Sequence, residues 1–109
     1  MRWTEPKYHN RKVTVDGMTF DSLKEASRWE ELKLLVRAGE IKDLKRQVPI
    51  EIVPKTDKFR AVRYVADFTY TLTRNGETVW EDVKGMKTDL YKLKKKLIYW
   101  IYGIEIKET

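Results

Sequence analysis

The chain has 109 residues, no cysteine and a formal charge of +6, with 41% hydrophobic and 37% charged residues. A chain of this length buries roughly 60–70% of its unfolded surface in one core, and the composition is that of a globular protein rather than a disordered one. The lack of cysteine excludes a disulfide scaffold and a thiolate zinc site and fits a reducing compartment. The start, MRWTEPKYHN, has no apolar core of a signal peptide, and the longest apolar run, LIYWIY, has six residues. That is far short of the roughly 20 that cross a bilayer. The expectation is one soluble, cytoplasmic domain over residues 1–109, with residues 1–12 as a basic flexible arm and no membrane partner.

In chain order, KVTVDGMTF predicts a short hairpin turned at Asp16-Gly17. DSLKEASRWEELKLLVRAG predicts a helix capped by Asp21 or Ser22 and ended by Gly39. Ala26, Trp29, Leu32, Leu35 and Val36 form its expected buried stripe. IKDLKRQVPIEIVP alternates as a strand up to Pro54, and KTDKF is a turn. RYVADFTYTLTRNGETVWEDVKG predicts a long hairpin with Asn75-Gly76 at its tip. A second helix follows, with Thr88 as N-cap, Leu90, Leu93, Leu97 and Ile101 facing inward, and Gly103 at its end. IEI offers a last strand, and a helical crossover would set it parallel to the strand Val79–Lys84. The whole is an α/β sandwich: a small mixed sheet of about four strands flanked by two helices.

If Asn75 and Gly76 are the two central residues of the turn, Thr73 faces Thr78, Thr71 faces Trp80, Thr69 faces Asp82 and Asp67 faces Lys84. A symmetric four-residue loop keeps the same parity. Either way Asp67, Asp82 and Lys84 share one face, while Phe68, Tyr70, Leu72, Val79 and Val83 share the other. Cross-strand diagonal neighbours lie roughly 5–7 Å apart at Cβ, and two carboxylates at that distance repel by roughly 3 kcal/mol at an effective dielectric near 20. Lys84 offsets one charge; a divalent cation satisfies both, and oxygen-only ligands suit Mg²⁺ or Mn²⁺ rather than zinc. Glu25 falls in register with Trp29, Leu32 and Val36, so it meets the sheet and needs a partner. Ser22-x-x-Glu25 also reads as a capping box, which would use that carboxylate on the helix's own amides.

Glu25 on the first helix, Asp67 on one strand and Asp82-Val83-Lys84 on the next together resemble the PD-(D/E)XK nuclease superfamily. More narrowly, FDSLKEASRWEELKLL, YVADFTY, EDVKG and YKLKKKL look like a small phage-encoded family of unknown function placed near Holliday-junction resolvases. Ala66 stands where the proline that names the superfamily would be. Glu81 adjoins Asp82 but by parity faces away from Asp67 and Lys84. The resemblance implies a restriction-endonuclease-like fold and Mg²⁺-dependent hydrolysis of DNA, acting on branched, junction or duplex substrates. In phage recombination, replication or packaging it would work in the host cytoplasm. It also implies roles: Asp67, Asp82 and the Val83 carbonyl as metal ligands, Glu25 completing the shell, and Lys84 positioning the attacking water. The catalytic set is then Glu25, Asp67, Asp82 and Lys84. Because resolvases work as symmetric pairs, it extends to a homodimer, though no residue marks the dimer face.

The basic residues cluster. Residues 84–102 carry six lysines against Asp89, and the first fifteen residues carry Arg2, Lys7, Arg11 and Lys12 against Glu5. Such segments suggest a polyanion partner, although a solvated helix face has the same composition. Lys87 and Thr88 at a helix start, with Lys92, Lys94, Lys95, Arg11 and Lys12, are the candidates for phosphate contact. Gln47 is read as a surface residue before a strand edge in preference to the glutamine that some nucleases of this kind place near the metal, Trp80 as packing under the first helix, and His9 has no role. The rival functions are a non-catalytic nucleic-acid-binding module that keeps the nuclease fold, and a subunit whose lysines face an acidic protein.

Overall fold

The computed structural model describes residues 12–83 and 87–109. Arg11, Lys84, His9 and nearly all of the predicted basic arm lie outside the described residues. A two-stranded hairpin, β1 (Val13–Val15) and β2 (Met18–Phe20), turns at Asp16 and Gly17 with φ of 54° and 76°. Two successive positive φ values are what a type I′ turn requires, and Asp-Gly supplies them.

The first helix, α1 (Leu23–Arg37), starts at Ser22, whose hydroxyl accepts from the Glu25 amide at 3.0 Å. There follow β3 (Ile41–Val53), β4 (Val62–Leu72), β5 (Thr78–Asp82), the second helix α2 (Asp89–Tyr102) and β6 (Ile106–Glu108). Thr88 caps α2 by accepting from Tyr91 N at 3.1 Å, and Gly103 ends it in the left-handed region. Strands β3 to β6 form a mixed sheet in chain order, antiparallel except for the parallel pair β5 and β6. The element order and the crossover match the sequence expectation. The last strand starts at Ile106, later than IEI suggests.

Two apolar clusters cover the sheet. Ala26 and Leu32 of α1 pack with Phe20, Ile41, Phe68 and Tyr70, joined by Leu72, Val79 and Val83. Tyr91 and Ile98 of α2 pack with Ile50, Ile52, Tyr64, Ala66 and Ile106. Val79 joins the first cluster and Trp80 the second, so the helices flank opposite faces. Trp80 therefore lies under α2 rather than the first helix. Trp29 stacks on Phe68 at 6.0 Å between centroids and meets Phe20 at the same distance. Phe68, fully buried, alone contributes about 2–3 kcal/mol by leaving water.

Three packing expectations are corrected. Val36 is exposed, whereas its neighbour Leu35 packs against the α1-side cluster, so the buried stripe of the last turn is carried by Leu35 alone. The tip of the long hairpin is a four-residue loop, Thr73 to Gly76, closed by bonds from Leu72 N to Glu77 O and from Gly76 N to Leu72 O, both 2.8 Å. Thr73 is drawn out of the ladder because its hydroxyl donates to the carbonyls of Gly39 and Glu40. Only Gly76, at φ 76°, takes the left-handed conformation. Lastly, α2 is rotated from its expected phase. Tyr91 and Ile98 face inward, while Leu90, Leu93 and Ile101 are exposed. Tyr91 fixes this phase, because its ring meets Tyr64 at 6.1 Å and its hydroxyl donates to Glu108 at 2.6 Å.

Candidate functional site

The shorter hairpin register pairs Thr71 with Thr78, Thr69 with Trp80 and Phe68 with Glu81. Continued by one residue, it sets Asp67 opposite Asp82 instead of Lys84. The shift is two residues, so the faces expected from the sequence survive while the partners change. The Val83 amide donates to Asp67 Oδ2 at 2.8 Å, holding that carboxylate against the end of β5.

A break in the pleat aims Asp67. Regular alternation would keep Tyr64, Ala66, Phe68 and Tyr70 on one face, but the first pair packs under α2 and the second under α1. The neighbouring strand switches too: Arg46 lies over Phe20 beside α1, whereas Ile50 and Ile52 belong to the α2 cluster. Between these segments sit Asp67 and Gln47, the latter at φ 56°, and neither joins the ladder that pairs Arg46 with Phe68 and Val48 with Ala66. Positive φ in a non-glycine residue costs of order 1–3 kcal/mol and is held only where surrounding packing fixes it.

Five polar side chains meet at this crossing. Asp82 is buried and accepts from the Tyr64 hydroxyl. Asp67, half-buried, is in hydrogen-bonding contact with Asp82. Burial first, then the neighbouring Asp82 and the charge of Glu25, push its carboxyl well above the usual carboxylate range, against the opposing Val83 amide. Burial and the bond to Asp82 likewise raise the Tyr64 phenol, so it stays a donor. Glu25 is buried on α1, its Oε1 accepting from the Asp21 amide at 3.1 Å and its Oε2 from Gln47 Nε2 at 3.2 Å. Both readings of Glu25 are thus realised in part: it sits at the helix start, where Ser22 is the cap, and it reaches the sheet. Gln47 lies inside β3 rather than before a strand edge, and it ties Glu25 to the crossing. Tyr64 was missed by sequence reasoning, since a tyrosine in a strand carries no sign that its hydroxyl will find a carboxylate.

Glu81, adjacent to Asp82, points to the opposite face. It is fully buried and bound by Arg28 through Nε at 2.6 Å and Nη2 at 3.0 Å, by the Tyr70 hydroxyl at 2.7 Å and by Thr109 Oγ1 at 3.2 Å. Burial would raise its carboxyl, but Arg28 and Tyr70 hold it below the usual range.

Among the described residues no three His, Cys, Asp or Glu side chains form a ready cation cage. The donor set present is two opposed carboxylates, with Glu25 behind them. Magnesium fits such a set, since it is commonly held by one or two carboxylates and completes its shell with waters and substrate phosphate.

The predicted phosphate contacts divide. Lys87, Lys92 and Lys95 line a cleft of about 770 Å³ between α2 and β6, together with Lys96, Tyr91 and Tyr99. Two of these lysines are ion-paired to Glu108, Lys87 at 2.9 Å and Lys95 at 3.1 Å. Lys94 donates to the Arg63 carbonyl at 2.8 Å and does not line that cleft. The Thr88 hydroxyl is taken up as the cap, and Lys12 pairs with Asp21, just before α1, at 3.5 Å.

Tyr91, Lys87 and Lys95 bring the Glu108 carboxyl down to about 2. The unfolded value is about 4.3. Its contribution to stability is therefore complete above about pH 4.3 and disappears as the pH falls towards 2. Denaturant midpoints measured between about pH 5 and pH 2.5 should fall less steeply in Glu108→Gln than in the wild type. Parallel curves would show that the β6 contacts add nothing.

Residues 5–108 match the family model described as Protein of unknown function (DUF1064), and the chain belongs to that family. No curated protein and no solved structure matches it.

Proposed function

We propose that the protein is a metal-dependent endonuclease that hydrolyses phosphodiester bonds in DNA, of the PD-(D/E)XK kind, with branched or junction DNA as the favoured substrate. One observation carries this reading: Asp67 and Asp82 oppose each other on adjacent strands, at a break in both the β3 and β4 pleats, with Glu25 held behind them. A fold gains nothing from setting two carboxylates together in a half-buried place, and perturbed acids of this kind concentrate at functional sites.

Asp67 and Asp82 supply hard oxygen ligands for Mg²⁺ or Mn²⁺, with the Val83 carbonyl as a further ligand. When bound, the cation lowers the pKa of a water and offsets charge on the phosphate oxygens. Tyr64 holds Asp82 in one orientation. Gln47 keeps Glu25 turned to the same centre, within reach of a water. Lys84, outside the described residues, is assigned the ammonium that positions the attacking water. Water adds its oxygen to phosphorus, one ester P–O bond breaks, and the leaving oxygen takes a proton. No covalent enzyme intermediate is formed. Lys92 and Lys96, beside Tyr91 and Tyr99, offer the duplex or a displaced strand a basic, aromatic-lined path. Tyr91 adjoins Tyr64 and so links that path to the carboxylates. The cytoplasm is the compartment proposed for this activity.

The test is incubation with junction, flapped and linear DNA in Mg²⁺, Mn²⁺ or chelator. Cleavage is expected with either metal and not with chelator. In parallel, Mn²⁺ titration by calorimetry should give a site that Asp67→Asn loses. Salt-sensitive DNA binding without cleavage or a metal site would instead establish a non-catalytic binding module.

A further inference from the structure

The rotation of α2 leaves a row of large apolar side chains facing solvent. Leu90 is 61% exposed, Leu93 53% and Trp100 82%, with Leu97 half-buried between them. Their spacing, three, four and three residues, is the a/d pattern of two heptads, about 15 Å along one helix side. None of the row is charged. Lys94 and Lys95 turn inward to the Arg63 carbonyl and Glu108, while Lys92 and Lys96 flank the cleft on another side of α2.

We propose that this row is the contact face of a homodimer, in which α2 of one protomer packs alongside α2 of its partner. The occupant follows from the pattern. An a/d row is complementary to another a/d row, and the copy of this chain provides an identical one, giving a closed, two-fold contact with the same patch on both sides. The exposed parts of Leu90, Leu93, Trp100 and Ile101 amount to about 400–500 Å² per protomer. With the polar rim this approaches the roughly 800 Å² that each partner contributes to a standard interface. A polyanion is a poor occupant, because an uncharged row of leucines offers its phosphates nothing. The inference stands apart from the nuclease reading, since none of these residues belongs to the carboxylate centre.

Each protomer carries +6, so the copies repel through solvent while the contact itself is apolar. Added salt should therefore strengthen association, the opposite of its effect on nucleic-acid binding. Sedimentation velocity and light scattering of the full chain, from about 5 to about 200 μM, should give a concentration-dependent species of twice the chain mass that grows with salt. Leu93→Lys combined with Trp100→Lys should weaken dimerisation on the order of 100-fold with an unchanged circular dichroism spectrum, as both residues are exposed. A wild type that stays monomeric throughout overturns the proposal, as does a double variant that dimerises as well as the wild type. A monomer whose tryptophan fluorescence shifts on neutral phosphatidylcholine vesicles, with the shift lost in Trp100→Lys, would overturn it too, assigning the row to a lipid surface. Retained dimerisation in an Asp67→Asn protein without cleavage would leave this proposal standing while the nuclease reading is judged separately.

Discussion

Asp82→Asn is expected to lower Mg²⁺-dependent DNA cleavage by on the order of 10³-fold or more while raising the melting temperature of the metal-free protein. On the proposed nuclease reading, the first effect follows from removing a ligand whose cation would supply several kcal/mol of charge stabilisation in the transition state, each 1.4 kcal/mol being tenfold in rate. The second follows from the fold. Asp67 and Asp82 lie in hydrogen-bonding contact, and burial together with its neighbour drives Asp67 upward. An asparagine at position 82 still accepts from the Tyr64 hydroxyl and gains an N–H to donate to Asp67, so the contact no longer depends on a proton shared between two carboxyls. A gain of about 1 kcal/mol corresponds to a melting shift of roughly 4 °C for a chain of this size. Cleavage under saturating Mg²⁺ and scanning calorimetry in chelator measure the two halves. Undiminished cleavage would remove the metal site from Asp82. A lowered melting temperature would mean that its carboxylate serves the fold, as the acceptor for Tyr64, rather than the chemistry.

The opposite signs of those effects have a structural origin visible in how much the sequence could disclose. Caps, turns and strand alternation are local, so Ser22, Thr88, Asp16-Gly17 and the hairpin parity were legible, and with them the common face of Asp67 and Asp82. The hairpin partners were not. Asn75-Gly76 is a strong local signal for a two-residue turn, but Thr73 bonds to the end of α1, a tertiary contact that lengthens the loop and slides Asp82 opposite Asp67. The phase of α2 failed for a similar reason. LIYWIY is apolar on every side, so periodicity allows either Leu90, Leu93, Leu97 and Ile101 or Tyr91 and Ile98 to face inward. Glu108, from the far end of the crossover, decides it by receiving the Tyr91 hydroxyl. Gln47 is harder still: its positive φ and its bond to Glu25 exist only because β3 and β4 change face together.

Arg28→Met is expected to destabilise the fold by about 3–5 kcal/mol, the usual cost of removing one partner from a buried ion pair and leaving the other charged. Glu81 has no exposed surface, and Arg28 meets both of its oxygens in a bidentate contact. Tyr70 and Thr109 remain after the substitution, but neither is charged. The urea midpoint should fall with little change in slope. Arg28→Lys should fall between wild type and Arg28→Met, since an ammonium keeps the charge but not the planar fork. Adding Glu81→Leu to Arg28→Met should recover most of the loss, because a matched apolar pair no longer strands a carboxylate. Failure of that recovery would mean that Tyr70 and Thr109 need the carboxylate as acceptor more than the pair needs Arg28. Glu81 and Asp82 are consecutive, both acidic and both buried, and each accepts from a tyrosine hydroxyl, yet they differ in what else faces them: a guanidinium on the α1 side, a second carboxylate on the other. The Arg28–Glu81 pair holds β5 against α1, and the Asp67–Asp82 pair is the one the nuclease reading assigns to a cation.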